Sequence, residues 1–291
     1  MVKSLRLRNY RSYIDKSFIF GPAVNIIVGP NGSGKTNLLE ALLVVCTHSS
    51  YRAKDVDLIY HNKEWARIDA VFEKEDRTFR IEREGDGSRK TLLINNLAVH
   101  RVTRKKKLPV VLFEPNELQL FSNGPDKRRD FLDELLEMLY LEYGSIRRQY
   151  RRSLSQRNRL LKTQPSNVGK QLFVWDIRLS ELGGQIVAYR QRLINDFNKD
   201  LPAVYRALSA SSVPTLVAYQ SSINGADYSS ALLHKLEQHV ELDLMRGFTA
   251  YGPHRDDMQA SIAGHSLQDS ASRGEIRTLI LAIKIIQIQM V

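Results

Sequence analysis

The residues with the plainest chemistry lie near the N-terminus. Gly29-Pro30-Asn31-Gly32-Ser33-Gly34-Lys35-Thr36 carries the G-x-x-x-x-G-K-[ST] spacing of a phosphate-binding loop. Its three glycines let the backbone turn tightly and aim several N–H groups at one anion. Lys35 offers a point charge to β and γ phosphates, and Thr36 a hydroxyl suited to Mg²⁺. A nucleotide with its β and γ phosphates and Mg²⁺ is therefore the expected ligand. Such a loop works only if a strand delivers it and a helix leaves it. Val24-Asn25-Ile26-Ile27-Val28 reads as a strand buried on both faces. Leu38, Leu39, Leu42 and Leu43 read as the inward face of a helix beginning near Asn37, whose positive dipole end would meet the phosphates.

The surrounding elements make the fold class α/β. Residues 2–8 alternate apolar and charged, as a half-buried strand does, and Phe18 to Phe20 is a candidate partner. Ile68 to Phe72, Thr78 to Glu82 and Thr91 to Ile94 are further short strands, with turns at Gly85-Asp86-Gly87 and Asn95-Asn96. From Asp126 the period becomes helical. Leu172, Trp175, Leu179, Leu182, Ile186, Tyr189 and Leu193 form a heptad seam after the break at Thr163 to Asn167, which predicts an antiparallel helical hairpin. Pro202, Ser211-Ser212 and Pro214 mark loops, and Leu232, Leu233, Leu236 and Val240 another helix.

The 291 residues carry a net charge of +11, unevenly distributed. Residues 1–120 hold 21 basic and 14 acidic side chains, residues 121–200 hold 15 and 10, and residues 201–291 hold 7 and 8. An acidic partner should therefore meet the first two-thirds of the chain. DNA-backbone contacts are expected at Arg147, Arg148, Arg151 and Arg152 on the first arm of the hairpin, where Arg157, Arg159 and Lys162 continue the run, and at Lys105 and Lys106. The competing reading for each cluster is a solvated face. No apolar run of about 18 residues suits a membrane span. The single cysteine, Cys46, excludes a disulfide scaffold and fits a reducing cytoplasm.

Several blocks together resemble the bacterial RecF recombination-repair ATPases, which belong to the ABC-type, SMC-like ATPases. They are Leu5 to Ser12, Asn25 to Ala41, Ser49-Ser50-Tyr51-Arg52 with Asp57-Leu58-Ile59, Phe113 to Leu118 with Pro125 to Asp133, and Tyr251-Gly252-Pro253-His254-Arg255-Asp256-Asp257. Glu117 stands where the family usually has Asp. Residues 270–277 resemble the ABC signature: Ser272 and Gly274 match, while Arg273 and Glu275 depart from it. The resemblance implies an ABC-type P-loop ATPase head, residues 1–122 and 246–291, with a helical second lobe inserted at 123–245. It also implies an ATP-dependent head-to-tail homodimer in which Ser272 meets the γ-phosphate held by the other copy, DNA as partner, and fellow recombination mediator proteins. The processes implied are DNA repair after damage, the SOS response and replication-fork maintenance. His254 and Arg255 read equally as a turn with solvated polar groups or as neighbours of the nucleotide interface.

The resemblance also implies a strand ending in Asp-Glu, for Mg²⁺ and the attacking water, which the chain is expected to lack. Asp133-Glu134 follows a helical pattern instead. Two alternatives stay open. One is a non-hydrolysing, truncated ATP- and DNA-binding module. The other is a membrane-transporter motor subunit, against which the basic arm and the Asn9-Tyr10-Arg11 start both argue.

Overall fold

A computed structural model describes residues 1–114, 120–122, 124–225, 227–267 and 271–291. The chain forms two compact units, Met1–Val110 and Val111–Val291. The first holds an antiparallel sheet and one helix. Strands β1 (Val2–Tyr10), β2 (Tyr13–Ile19), β3 (Trp65–Phe72), β4 (Asp76–Glu84), β5 (Gly87–Ile94) and β6 (Leu97–Ala98) lie in the order β2-β1-β3-β4-β5-β6. Alternation sets the register of this sheet. Leu5 and Leu7 of β1 pair with Ala70 and Ile68 of β3, all buried, while Arg6 and Arg8 alternate with them and pair with Asp15 and Asp69. Helix α1 (Lys35–Thr47) covers the apolar face with Leu38, Ala41, Val44 and Val45. Truncating the fully buried Ile68 to Ala would cost about 2–5 kcal/mol.

One expected strand is missing. Residues 24–30 join no ladder, and Val24, Ile26 and Val28 are 86%, 83% and 83% exposed. A β-branched run becomes a strand only where another segment supplies hydrogen bonds, and no described segment lies alongside this one. Ile27 alone of its apolar residues packs against the core of the unit.

The second unit holds helices α2 (Pro125–Leu139), α3 (Tyr143–Thr163), α4 (Val168–Ser209), α5 (Tyr228–Gln238), α6 (Val240–Arg246) and α7 (Arg273–Met290). With them runs a small sheet, β7 (Thr215–Gln220), β8 (Asp257–Ile262) and β9 (His265–Ser266). Helices α3 and α4 form the expected hairpin around Gln164 to Asn167, and Leu172, Leu179, Leu182, Ile186 and Leu193 are buried along the seam. Pro202 does not end α4. Phe197, Leu201 and Tyr205 are buried on its inner face, and the Asn198 amide exchanges two hydrogen bonds with the Val217 backbone, at 2.7 and 2.9 Å. Burial and that clamp offset the roughly 3 kcal/mol that an internal proline costs. Strand β7 lies within the stretch read as loop and helix. The domain partition differs too. Met258, Ala260, Leu279, Ile280 and Ile283 share one core with α2 and α4, so residues 246–291 join the helical unit.

Candidate functional site

The phosphate loop is shaped by backbone conformations that side chains oppose. Gly32 and Gly34 have φ of +81° and +92°. A Cβ on Gly34 would lie 2.8 Å from Tyr13 Oη and 2.9 Å from Ser12 Oγ. Gly34 is also the N-cap of α1, which begins with Leu38 N donating to Gly34 O at 3.0 Å. No side chain caps this helix and no acid occupies its first turn, so its leading N–H groups and positive dipole end are left for an anion. The Lys35 ammonium folds across the loop and donates to the Gly29 and Pro30 carbonyls, both at 2.7 Å. Pro30, Asn31, Gly32 and Ser33 fill the exposed turn between them, and Thr36 stands exposed on the first helical turn. Left-handed glycines, a bare helix end and one lysine ammonium together fit a triphosphate.

Behind the loop lies a network built on Glu40, which is fully buried. Arg11 grips both its carboxylate oxygens at 2.8 Å, Arg52 Nη2 reaches it at 3.0 Å, and Ser50 Oγ donates at 2.6 Å. Burial pushes the carboxyl pKa up, but these hydrogen bonds outweigh it and hold Glu40 at about 2. Arg52 also donates to Asn37 Oδ1 at 2.7 Å, and Asn37 in turn donates to Ser12 Oγ at 2.9 Å. Four short segments that resemblance alone had grouped thus meet at the first turns of α1. Spacing could not show this, because Glu40 reads simply as a helix residue.

In the second unit, Ser272 caps α7 through a capping box. Its Oγ accepts from Glu275 N at 3.3 Å, and its own N–H donates to Glu275 Oε2 at 2.7 Å. The backbone N–H and the hydroxyl of Ser272 together hold the Glu275 carboxyl below its usual range, and Gly274 leaves the first turn uncrowded. Ser270 and Glu117 lie outside the described residues. Asp133-Glu134 falls inside α2, as the helical pattern predicts. Asp133 is paired with Arg190 at 2.9 Å and Arg147 at 2.9 Å.

The arginines of α3 divide into two groups. Arg148, Arg151, Arg152, Arg159 and Lys162 recur on one exposed face. Arg147 does not belong with them. It is 12% exposed and committed to Asp130, Asp133 and Glu137, against 62% for Arg151. Arg157 is also buried, donating to Asp176 at 2.5 Å, Asp243 at 2.6 Å and Thr249 at 2.9 Å. Lys105 and Lys106 lie exposed in the unit 1 turn Arg104–Lys106.

The block from Tyr251 to Asp257 is a clamp within the second unit: His254 and Asp256 are held by hydrogen bonds inside it, while Arg255 is exposed. Thr249 O can only accept, so His254 Nε2 carries the proton at 3.1 Å and Nδ1 accepts from Tyr150 Oη at 2.7 Å. Burial lowers the His254 pKa to about 4, keeping the ring neutral. Asp256 accepts from Tyr219, Ser221 and Tyr228, at 2.7, 2.8 and 3.1 Å. Gly252, at φ +127°, lies where a Cβ would come 2.6 Å from Tyr150 Oη.

Comparison with known proteins adds to this geometry. A family model described as an AAA domain matches residues 4–243. The DNA replication and repair protein RecF of Agathobacter rectalis is 32% identical over 297 residues, covering all of this chain and 81% of that protein. Its counterpart in Alkaliphilus oremlandii is 31% identical over 302 residues, covering all of this chain and 82% of that protein. A solved structure of the recombination mediator protein RecF-ATPrS in the RecFOR pathway superposes with a TM-score of 0.85, at 24% identity, over 99% of this chain and 81% of that one. The Smc head domain of Pyrococcus furiosus superposes at 0.51, at 16% identity, over 99% of this chain and 79% of that one. Both structures share the fold, an ABC-type ATPase head with a helical lobe.

Proposed function

The chain belongs to the RecF family, and from that premise we propose that it is an ATP-dependent DNA-binding protein of recombinational repair and replication-fork maintenance. The observation that carries this reading is the phosphate loop at the bare N-terminus of α1, with left-handed Gly32 and Gly34 and Lys35 laid across its mouth. Bound ATP would supply the negative charge that this loop and helix end are built to hold. Asn31, Gly32 and Gly34 would offer backbone N–H groups, Lys35 would release its two carbonyls for phosphate oxygens, and Thr36 would share Mg²⁺ with those oxygens. Among the described residues no group of three or more His, Cys, Asp or Glu could hold a metal.

The exposed face of α3 supplies the DNA contact in this reading. Arg148, Arg151 and Arg152 are presented there without a full set of carboxylate partners, which favours phosphate contact over a solvated face. Ser272 and the N–H groups of α7 would face the phosphates held by a second copy, in a two-fold, head-to-tail dimer. Other recombination mediators would be fellow partners, in the cytoplasm. No described helix is long and apolar enough to cross a membrane.

The test is a salt titration of duplex-DNA binding. Reversing Arg148, Arg151 and Arg152 to Glu should weaken binding and flatten its dependence on salt by about 2–3 in log–log slope. An unchanged slope would remove α3 from the DNA site.

A further inference from the structure

Unit 1 contains a wide-mouthed cavity of about 790 Å³ whose lining includes Arg11, Arg52, Lys54, His61 and Arg83, with Asp57 as its carboxylate. No residue of the phosphate loop lines it. We propose that this cavity is a second phosphate site, that it takes a phosphodiester of the DNA backbone, and that it is linked to the nucleotide loop through α1. The proposal rests on the DNA-binding reading above and extends it to the ATPase unit.

Three observations support it. First, the cations converge from three separate places: the β1–β2 turn, residues 52–61 and the end of β4. Second, two of them are held in place. The Arg11 guanidinium is fastened to Glu40 by two hydrogen bonds and to the Asp57 carbonyl at 3.0 Å, and Arg52 to Glu40 and Asn37. One buried carboxylate, Glu40, thus orients two guanidiniums and neutralises only one of their charges. With Asp57 also counted, Arg11, Arg52, Lys54 and Arg83 leave a positive surplus. Ordering two long cations beside each other costs entropy and repulsion, which an anionic ligand would repay. Third, Glu40 lies on α1 itself, five residues after Lys35, and Asn37 on its first turn also holds Arg52. A phosphate drawing on Arg11 and Arg52 therefore bears on the same helix whose N-terminus the phosphate loop caps.

DNA is favoured over the nucleotide because the cavity opens outward and has a lining separate from the phosphate loop. A polymer also brings successive phosphates to the rim residues Lys54 and Arg83. Coupling between the two sites must be reciprocal: whatever factor ATP adds to DNA affinity, DNA adds to ATP affinity.

The experiment uses the full chain carrying Lys54→Gln and Arg83→Gln, neither of which touches Glu40 or the phosphate loop. Duplex-DNA affinity is titrated against salt, ATP affinity is measured without DNA, and a melting curve checks the fold. The expected result is a log–log salt slope flatter by about 1.8 with ATP affinity unchanged. If slope and DNA affinity are unaltered while the α3 variants still weaken DNA binding, the cavity is not a DNA site and the broader reading stands. A loss of ATP affinity without DNA would assign the cavity to the nucleotide and overturn the proposal. If neither set of variants alters DNA binding, the DNA reading itself fails.

Discussion

Gly32 and Gly34 offer a matched pair of perturbations at the phosphate loop. Both adopt left-handed backbone, at φ of +81° and +92°, but a Cβ on Gly32 meets nothing within 4 Å. Alanine at Gly32 therefore bears only the conformational penalty, about 1–2 kcal/mol. Alanine at Gly34 bears that penalty and also presses on Tyr13 Oη and Ser12 Oγ. Moving Tyr13 aside would break its 3.1 Å hydrogen bond to Gly34 O, worth about 1 kcal/mol. If the loop keeps its native path only when nucleotide is bound, these costs appear in the binding constant. The expected losses of ATP affinity are about 5–30-fold for Gly32→Ala and about 30–150-fold for Gly34→Ala. Titration of a fluorescent ATP analogue reads both. In a Tyr13→Ala background, where that hydrogen bond is already absent, Gly34→Ala should cost less than it does in the native chain. Equal losses for the two glycines, or the same Gly34→Ala loss in both backgrounds, would refute the contact argument.

Two other sites make separate predictions. Arg157→Met leaves Asp176 and Asp243 as buried carboxylates without their cation, so it should destabilise the second unit by about 3–5 kcal/mol in thermal or urea melts. Burial already raises the Asp176 pKa. Its charged form is thus disfavoured by folding, and the deficit in Arg157→Met should shrink as pH is lowered from 8 to 5, whereas a pH-independent deficit would count against this. Glu40 has the opposite sign. With its pKa lowered from 4.5 to about 2, it contributes of order 3 kcal/mol above pH 4.5 that is lost as pH falls toward 2. Glu40→Gln should therefore flatten the acid limb of a melting-temperature profile; an unchanged limb would show that the network does not stabilise the unit.

What could be read from the residues was local. The phosphate loop is a contiguous motif, and β1 with its partner and the seam of α4 follow periods of 2 and 3.5 that each segment carries alone. What escaped depended on distant segments. Val24 to Val28 has the composition of a strand but no ladder among the described residues. Pro202 stays helical because Phe197, Leu201 and Tyr205 are held by packing, and because Asn198 is tied to β7. Arg147 and Arg157 looked like members of one basic face. Their carboxylates come from α2 in the first case and from α4 and α6 in the second. The hub at Glu40 was hidden for the same reason: its partners lie 29 and 12 residues away, in the β1–β2 turn and beyond α1.

Control of DNA binding by the phosphate loop is read directly from duplex-DNA affinity at fixed salt, with and without ATP, in the native chain and in Lys35→Ala. ATP should tighten DNA binding at least about fivefold in the native chain. Lys35→Ala should keep the ATP-free affinity and lose the increment. DNA affinity indifferent to ATP in the native chain, or an undiminished ATP effect without the Lys35 ammonium, would contradict that control.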